Sequence, residues 1–282
     1  MPGRKTDVKG AEWIARILRH GLVQGSYIPD REQRELKEIV RYRRSIIEER
    51  TREVNRLQKV LEGGNIKLSS VASNVLGVSG RNMLEAMING ERDTSILADS
   101  ALKKLKDKKE HLKLALEGRL EAHQLHMMEK QLAHIDYLNE LISELDEEIE
   151  KRMTPFTEEL KILDSIPGVG RRTAEQIIAE VGTDMSRFPT PGHLCSWAGM
   201  TPGHDESAGK KKSTKTRKGN KKLRSALTEA AKAASRQKNT YLSAQYHRVA
   251  ARRGKNKAAI AVGHTILSLV HILLTRNKNM WI

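Results

Sequence analysis

The sequence predicts a mainly α-helical protein, and three features lead to that prediction. Leucine, glutamate, lysine and arginine, which favour helices, are abundant, whereas aromatic residues make up only 4% of the 282 residues. Alternating β-branched runs, the pattern typical of strands, are nearly absent. Two long stretches carry apolar residues at helical spacing. We therefore expect a long antiparallel coiled coil with a small helical cap, followed by a helical carboxyl-terminal domain that contains a helix-hairpin-helix.

The first 30 residues contain one predicted helix, from Ala11 to His20, and no apolar core of their own. They are expected to be the end of a larger domain. Region 31–155 then carries the coil. Its first long helix has an apolar seam, which the glycine pair Gly63-Gly64 ends. The members of this seam are Leu36, Val40, Ile47, Val54, Leu57 and Leu61.

The second long helix is predicted over 119–153, where leucine, isoleucine and methionine form one stripe and Pro155 stops the helix. The two long helices are expected to pair antiparallel. Residues 66–115 lie between them and contain short apolar pieces separated by Gly77, Gly80 and Gly90. This insertion is interpreted as the helical cap.

Charge divides the chain near residue 160. Residues 161–282 carry 23 Lys+Arg against 7 Asp+Glu, whereas residues 1–160 carry 28 of each, so the net charge of +16 lies in the second part. Region 156–282 is therefore a candidate domain whose partner is a polyanion. Nucleic acid is favoured over acidic small molecules, with a basic ribosomal or membrane-surface protein as alternatives. No membrane span or signal peptide is apparent, and we expect a cytoplasmic protein.

A single cysteine, Cys195, excludes an internal disulfide. Because no Cys/His cluster has ligand spacing, a structural zinc site is not expected either. Cys195 lies in an apolar run and is interpreted as a small buried residue.

A Pro-Gly-Val-Gly turn at 167–170 lies between two short apolar segments. Glycines leave backbone N–H groups accessible, and a helix that begins after them offers its positive end to a phosphate. We therefore predict a helix-hairpin-helix in which Gly168, Gly170, Arg171 and Arg172 contact the nucleic-acid backbone. An ordinary helical turn is the alternative.

A basic strip follows at 209–222, where serine, threonine, glycine and asparagine alternate with the cations and oppose helix formation before about Lys221. Arg252 and Arg253, beside Gly254, form a second predicted phosphate contact. A solvated basic tail is the alternative for the strip. The predicted phosphate-binding cations of the strip and of the helix after it are Lys210, Lys211, Lys212, Lys215, Arg217, Lys218, Lys221, Lys222 and Arg224.

Ser207 stands two residues before the start of this strip. A serine hydroxyl attacks phosphorus only when it is positioned, its proton is removed and the developing charge is neutralised, and neighbouring lysines supply the last of these. The residue pattern alone leaves open that Ser207 is an ordinary loop serine.

Taken together, these residues resemble the transposases of the insertion sequence 110/116/902 family. That resemblance implies DNA transposition by serine-dependent phosphodiester strand exchange, with Ser207 matching the nucleophilic serine of a carboxyl-terminal transposase domain (156–282). It also implies an amino-terminal RuvC-like domain with a DEDD site for Mg²⁺. The matching segments are the Pro-Gly-Val-Gly turn, Phe188 to Gly199, Glu206 to Lys210, Lys218 to Asn220 and Leu223-Arg224.

The match to the acidic site is incomplete. Asp7 matches the third acid, and Gly10 stands where the fourth is expected. A magnesium site needs several oxygen ligands, so Asp7 is at most a residual ligand. We therefore interpret residues 1–30 as a remnant of the RuvC-like domain in an N-terminally truncated chain. Such a chain is expected to bind DNA, to hold no Mg²⁺ and to perform no strand exchange alone.

The resemblance also implies partners: DNA, a noncoding guide RNA in one group of the family, and a second copy of the chain through the coil, in the bacterial cytoplasm and without a membrane. Two alternatives stay open. One is a non-catalytic nucleic-acid-binding remnant that oligomerises through its coiled coil. The other is a structural coiled-coil protein with an accidental basic tail.

Overall fold

The computed structural model describes residues 6–22, 28–203, 206–207, 210–211 and 215–276. Within these ranges most residues are helical, which confirms the predicted fold class. The helices are α1 (Asp7–Arg19), α2 (Arg31–Gly63), α3 (Leu68–Val71), α4 (Val78–Ile88), α5 (Thr94–Asp99), α6 (Lys109–Ala115), α7 (Ala122–Met153), α8 (Thr157–Asp164), α9 (Arg171–Val181), α10 (Pro191–Trp197), α11 (Lys221–Ala234), α12 (Tyr241–Arg253) and α13 (Lys255–Arg276). Short 3₁₀ turns span Lys103–Lys108, Thr154–Phe156 and Met185–Arg187.

The chain divides into two compact units. Met1–Glu35 and Glu158–Ile282 form one, which we call the basic unit. Leu36–Thr157 forms the other, which we call the paired-helix unit.

In the paired-helix unit, α2 and α7 run antiparallel. Arg43 Nη1 lies 2.7 Å from Asp146 Oδ1, and Glu53 Oε2 lies 3.7 Å from His134 Nδ1. Residue numbers therefore rise along α2 as they fall along α7, as predicted for the pair. Supercoiling of the two helices stays a prediction.

The buried seam of α2 differs from the predicted one at several positions. Ile46, Glu53 and Val60 are buried, whereas Ile47 and Val54 of the predicted seam are only partly buried. Arg43, which interrupts the apolar pattern, is 4% exposed and makes the ion pair with Asp146. A charge can be buried in a seam when a partner on the facing helix balances it, and sequence spacing alone does not reveal that partner.

Helices α3 to α6 lie where the helical insertion was predicted, and their apolar side chains share one core with α2 and α7. Gly80 was expected to separate two helical pieces, but it lies inside α4. A Cβ at Gly80 would lie 2.1 Å from the carbonyl oxygen of Val75. The glycine therefore permits a close approach of backbone and does not end a helix.

The basic unit is built around α13, which packs against α10, α11 and α12. By length and composition α13 is apolar enough to cross a membrane, but half of that stretch is buried in the protein, as in a core helix. Its partner α11 turns a row of alanines inward, and small side chains allow close helix packing. Cys195 is fully buried on α10, as the sequence predicted.

Candidate nucleic-acid interface

The turn between α8 and α9 contains two glycines with different surroundings. Gly168 has φ +84°, and a Cβ there would lie 2.3 Å from the carbonyl oxygen of Ala230 and 2.6 Å from the amide nitrogen of Ala234. Gly170 precedes α9 at φ −93°, is exposed, and has no heavy atom within 4 Å of an added Cβ. Gly168 therefore lets the turn pack on α11, and Gly170 is the glycine at the open surface.

Arg171 and Arg172 begin α9 and are both exposed. Arg171 Nε lies 2.7 Å from Glu175 Oε1, and the arginine side chain keeps 53% of its surface exposed. The pair holds one guanidinium beside the positive end of α9, where the first helical N–H groups point outward. That arrangement suits a phosphate contact, although binding by this turn stays a prediction.

The segment around Ser207 folds back on itself as a short β-ribbon. At its base, Pro202 pairs with Thr216 and the Gly203 amide donates to the Lys215 carbonyl at 2.8 Å. Further out, strands β1 (Glu206–Ser207) and β2 (Lys210–Lys211) pair antiparallel, with Ser207 opposite Lys210. The ribbon was not predicted, because its short strands lack an alternating β-branched pattern. Lys212 lies outside the described residues.

One arginine fastens the base of this ribbon. Arg224 Nη2 donates to the carbonyl oxygen of Gly199 at 2.8 Å and to that of Arg217 at 2.6 Å. Gly199 has φ +71°, and a Cβ at Gly219 would lie 2.4 Å from the Gly199 nitrogen. The Trp-Ala-Gly and Lys-Gly-Asn motifs therefore meet here, and Arg224 joins them. The sequence predicted a phosphate contact for Arg224; the structure places its guanidinium on two backbone carbonyls.

The start of α11 is fixed by Asn220. Its Oδ1 accepts from the amides of Lys222 and Leu223, both at 3.1 Å, and its Nδ2 donates to Glu180 Oε2 at 2.6 Å. Gln176 Nε2 also donates to the Lys222 carbonyl at 3.2 Å. Sequence reasoning missed Glu180 and Gln176. The signal for them is that they are polar residues among the apolar residues of the buried part of α9.

Most of the remaining predicted cations in the described ranges are exposed. The exposed ones are Lys215, Arg217, Lys218 and Lys221 near the ribbon and Arg252 and Arg253 at the end of α12. Lys222 is half-buried. For Lys210 and Lys211 only the backbone pairing is described. One cavity is lined by Pro202 and Thr216 of the ribbon base together with Lys257 of α13. The basic α12–α13 connection and the ribbon base are therefore neighbours.

The predicted acidic residue Asp7 and the thiol of Cys195 are the other candidates for metal binding or nucleophilic chemistry. Asp7 is exposed at the first position of α1, and among the described residues no three His, Cys, Asp or Glu side chains converge as a metal site. The described residues therefore do not fit a Mg²⁺ ion. Burial raises the pKa of the Cys195 thiol, against a smaller opposite effect of its hydrogen bond with Ser268. Cys195 is thus held as the thiol, the poorer nucleophile.

The position of Arg224 leads to a testable expectation. Arg224→Met should lower the free energy of unfolding by about 2 kcal/mol, because two carbonyl groups lose a charged donor. Its DNA affinity should change less than threefold at constant salt. Arg236→Met, at an exposed position on the α11–α12 connection, is the matched control and should leave stability unchanged. Urea unfolding followed by circular dichroism measures both. Unchanged stability with a smaller salt dependence of DNA binding would make Arg224 a phosphate contact instead.

The sequence of the chain matches two models of transposase families. A model described as "Transposase IS116/IS110/IS902 family" matches residues 160–248, which include α9, α10, the ribbon and α11. A second model, DEDD_Tnp_IS110, described as "Transposase", matches residues 1–66.

Individual relatives agree with the family models. The chain is 30% identical over 148 residues to the transposase for insertion sequence element IS1111A of Coxiella burnetii, an alignment that covers 50% of this chain and 39% of that protein. It is 34% identical over 99 residues to the pilin gene-inverting protein of Moraxella bovis, covering 33% of this chain and 30% of that protein. A 41-residue stretch is 51% identical to an insertion element IS110 protein of Streptomyces coelicolor, covering 14% and 10%.

These alignments span about two fifths or less of each relative's length. The two family models together cover more than half of this chain, including the Pro-Gly-Val-Gly turn, the ribbon with Ser207 and the Arg224 clamp. The chain therefore belongs to the IS116/IS110/IS902 family of transposases.

Proposed function

We propose that this transposase binds DNA through its basic unit and that Ser207 is the nucleophile of phosphodiester strand exchange. The observation that carries the proposal is the ribbon. Ser207 occupies a paired position opposite Lys210, and the base of the ribbon is clamped by Arg224. A nucleophile gains most when the backbone that carries it is held in place before the substrate binds. The serine transposase domain is proposed to span 156–282.

In the proposed reaction, Ser207 Oγ loses its proton and forms a bond to phosphorus of the DNA backbone. The bond from phosphorus to one deoxyribose oxygen breaks, and that oxygen takes up a proton. The reverse reaction with the hydroxyl of a different strand releases the serine and leaves a new phosphodiester. Bonds and charges balance without an oxidant or an energy-rich cofactor. Cations near the ribbon stabilise the negative charge that develops on the phosphoryl oxygens.

The relatives support DNA rearrangement as the substrate chemistry, since one is a transposase of an insertion sequence and another is a pilin gene-inverting protein. Phosphate contacts by the exposed cations do not depend on base sequence, so a noncoding guide RNA is proposed as a second polyanionic partner of the same surface. The α2–α7 pair is proposed as the surface through which two copies associate.

Trapping the enzyme on DNA tests the nucleophile. A bridging phosphorothiolate replaces the leaving deoxyribose oxygen by sulfur, and a thiolate leaves without protonation or a metal ion. Duplexes carrying this bond, in either of its two isomers, should therefore form a covalent adduct with the full chain that survives sodium dodecyl sulfate. Ser207→Ala should abolish the adduct while DNA affinity stays within threefold. Ser213→Ala, which removes a hydroxyl from the same basic strip, is the matched control and should retain it.

The competing function is a non-catalytic nucleic-acid-binding protein. It is favoured by one observation, namely that the described residues contain no convergent group of metal-binding acids. If DNA binding is undiminished but neither phosphorothiolate isomer forms an adduct, the protein is a non-catalytic nucleic-acid-binding protein and Ser207 is not the nucleophile. An adduct from the phosphorothiolate but not from ordinary DNA would support the serine and would agree with the expectation that the chain alone performs no complete exchange.

A further inference from the structure

A cavity of about 390 Å³ opens beside the base of the ribbon. Pro202 and Thr216 form its ribbon side, while Ile260 and Ala261 of α13 form an apolar wall. This volume is within the range of small-ligand sites, which are mostly apolar with a few placed polar groups. The cavity belongs to the basic unit.

Gln245 of α12 lines this cavity, and its side-chain oxygen is an unsatisfied acceptor. The Thr265 hydroxyl donates to the Ala261 carbonyl at 3.2 Å, and therefore accepts from Gln245 Nε2 at 2.9 Å. This contact orients the amide and leaves Gln245 Oε1 buried without a hydrogen-bond partner among the described residues. A buried acceptor without a donor is destabilising, and a ligand that brings an N–H group would remove that cost.

His264 lies one turn before Ser268 on the same side of α13 and also lines the cavity. Its backbone carbonyl accepts from Cys195 and Ser268, whereas its ring makes no hydrogen bond within the described part of the chain. Burial lowers the pKa of His264, so the imidazole is neutral at pH 7. A neutral imidazole offers one donor and one acceptor nitrogen.

Lys257 completes the lining at the exposed rim, and no acidic side chain borders the cavity among the described residues. The lining residues thus combine apolar walls, an orphaned acceptor on Gln245, the imidazole of His264 and a cation. A nucleotide matches all four, because its base has flat apolar faces and a polar edge and its phosphate is an anion. An apolar ligand would leave the acceptor unsatisfied, and a simple anion would not use the apolar wall.

We propose that this cavity accepts one base of bound DNA, extruded from the helical stack, with an amino group of the base donating to Gln245 Oε1 and its phosphate beside Lys257. The inference rests on the proposed function only in requiring that the basic unit binds DNA. Bases with an exocyclic amino group, namely cytosine, adenine and guanine, are favoured over thymine.

Chain length limits how far this base can lie from the reacting phosphate. Five residues separate Pro202 from Ser207, and an extended chain of that length spans at most about 18 Å. Successive base pairs rise about 3.4 Å, so the extruded base lies within roughly five base pairs of the bond presented to Ser207. Unstacking at that distance would loosen the strand that is to be exchanged.

A duplex with one bulged 2-aminopurine tests the proposal, since this base carries an exocyclic amino group and fluoresces more strongly when it leaves the stack. The full chain should bind this duplex about tenfold more tightly than the fully paired duplex, because a bulged base costs less to extrude, and fluorescence should rise on binding. Ala261→Phe, which fills the cavity, should remove both effects while the affinity for the paired duplex stays within threefold.

Gln245→Leu keeps the side-chain volume and removes the acceptor, so it should reduce the preference for the bulged duplex. Gln237→Leu, at an exposed position beyond α11, is the matched control and should retain it. Thermal unfolding establishes that each variant is folded. Equal binding of both duplexes with no rise in fluorescence, or a rise that survives Ala261→Phe, would overturn the cavity proposal alone. Failure to bind either duplex would instead overturn the proposed DNA-binding function.

Discussion

Replacing Gly168 by alanine is expected to lower the free energy of unfolding of the basic unit by about 4 kcal/mol. The substitution forces an L-residue into the left-handed region and drives a methyl group into the backbone of α11. A positive φ at such a residue costs about 1–2 kcal/mol and overpacking costs about 1–3 kcal/mol. Neither the Ala230 carbonyl nor the Ala234 amide can move aside without disturbing the helix.

Gly170→Ala is the matched control for Gly168→Ala. The two glycines are two residues apart in one turn, but Gly170 has negative φ and open space around its Cα. Its replacement should change the free energy of unfolding by less than about 1 kcal/mol. Guanidinium unfolding monitored by tryptophan fluorescence compares the variants. Equal effects of the two substitutions would show that the turn does not pack on α11 as described.

Neutralising three cations at the α12–α13 connection should weaken DNA binding severely. The triple variant Arg252→Ser, Arg253→Ser, Lys255→Ser removes three exposed charges that precede Lys257, which lines one cavity together with the ribbon base. Each phosphate contact contributes about 0.9 to the slope of log K against log salt concentration, so the slope should fall by about 2.7. At low salt the affinity should fall by roughly two to three orders of magnitude.

The paired-helix unit offers a control with the same change in net charge. Lys103, Lys104 and Lys106 are exposed in the Lys103–Lys108 turn, and their replacement by serine also removes three positive charges. This variant should keep the salt slope of the unaltered protein within about one contact. Fluorescence anisotropy with one labelled duplex at five salt concentrations measures both variants. Similar losses in the two would show that DNA responds to net charge and not to the basic unit.

Periodicity predicted the long helices well, because an apolar stripe along 30 residues dominates local preferences. Helix α2 ends at Gly63 and α7 ends just before Pro155, as the glycine pair and the proline predicted. The positions of the buried seam of α2 were predicted less accurately. The burial of Arg43 depends on Asp146, which lies about 100 residues away in the sequence and one helix away in space.

For the candidate site, the sequence predicts which residues take part but not which contacts they make. The motifs were apparent from the residues, and Ser207 and the basic strip were predicted as site residues from them and from the family resemblance. The structural role of each residue was not apparent from the sequence. Gly168 and Arg224 contact protein backbone, and the orphaned acceptor of Gln245 results from a hydrogen bond between two helices. These roles depend on which elements come together, and a single sequence does not encode that locally.

If the ribbon presents the hydroxyl of Ser207 to a DNA phosphate, that oxygen should become bonded to phosphorus of the DNA. The most direct measurement is mass spectrometry of the phosphorothiolate adduct after digestion with nuclease and protease. We expect a nucleotide linked through phosphorus to Ser207. A nucleotide on Ser213, Thr214 or any other residue would contradict it.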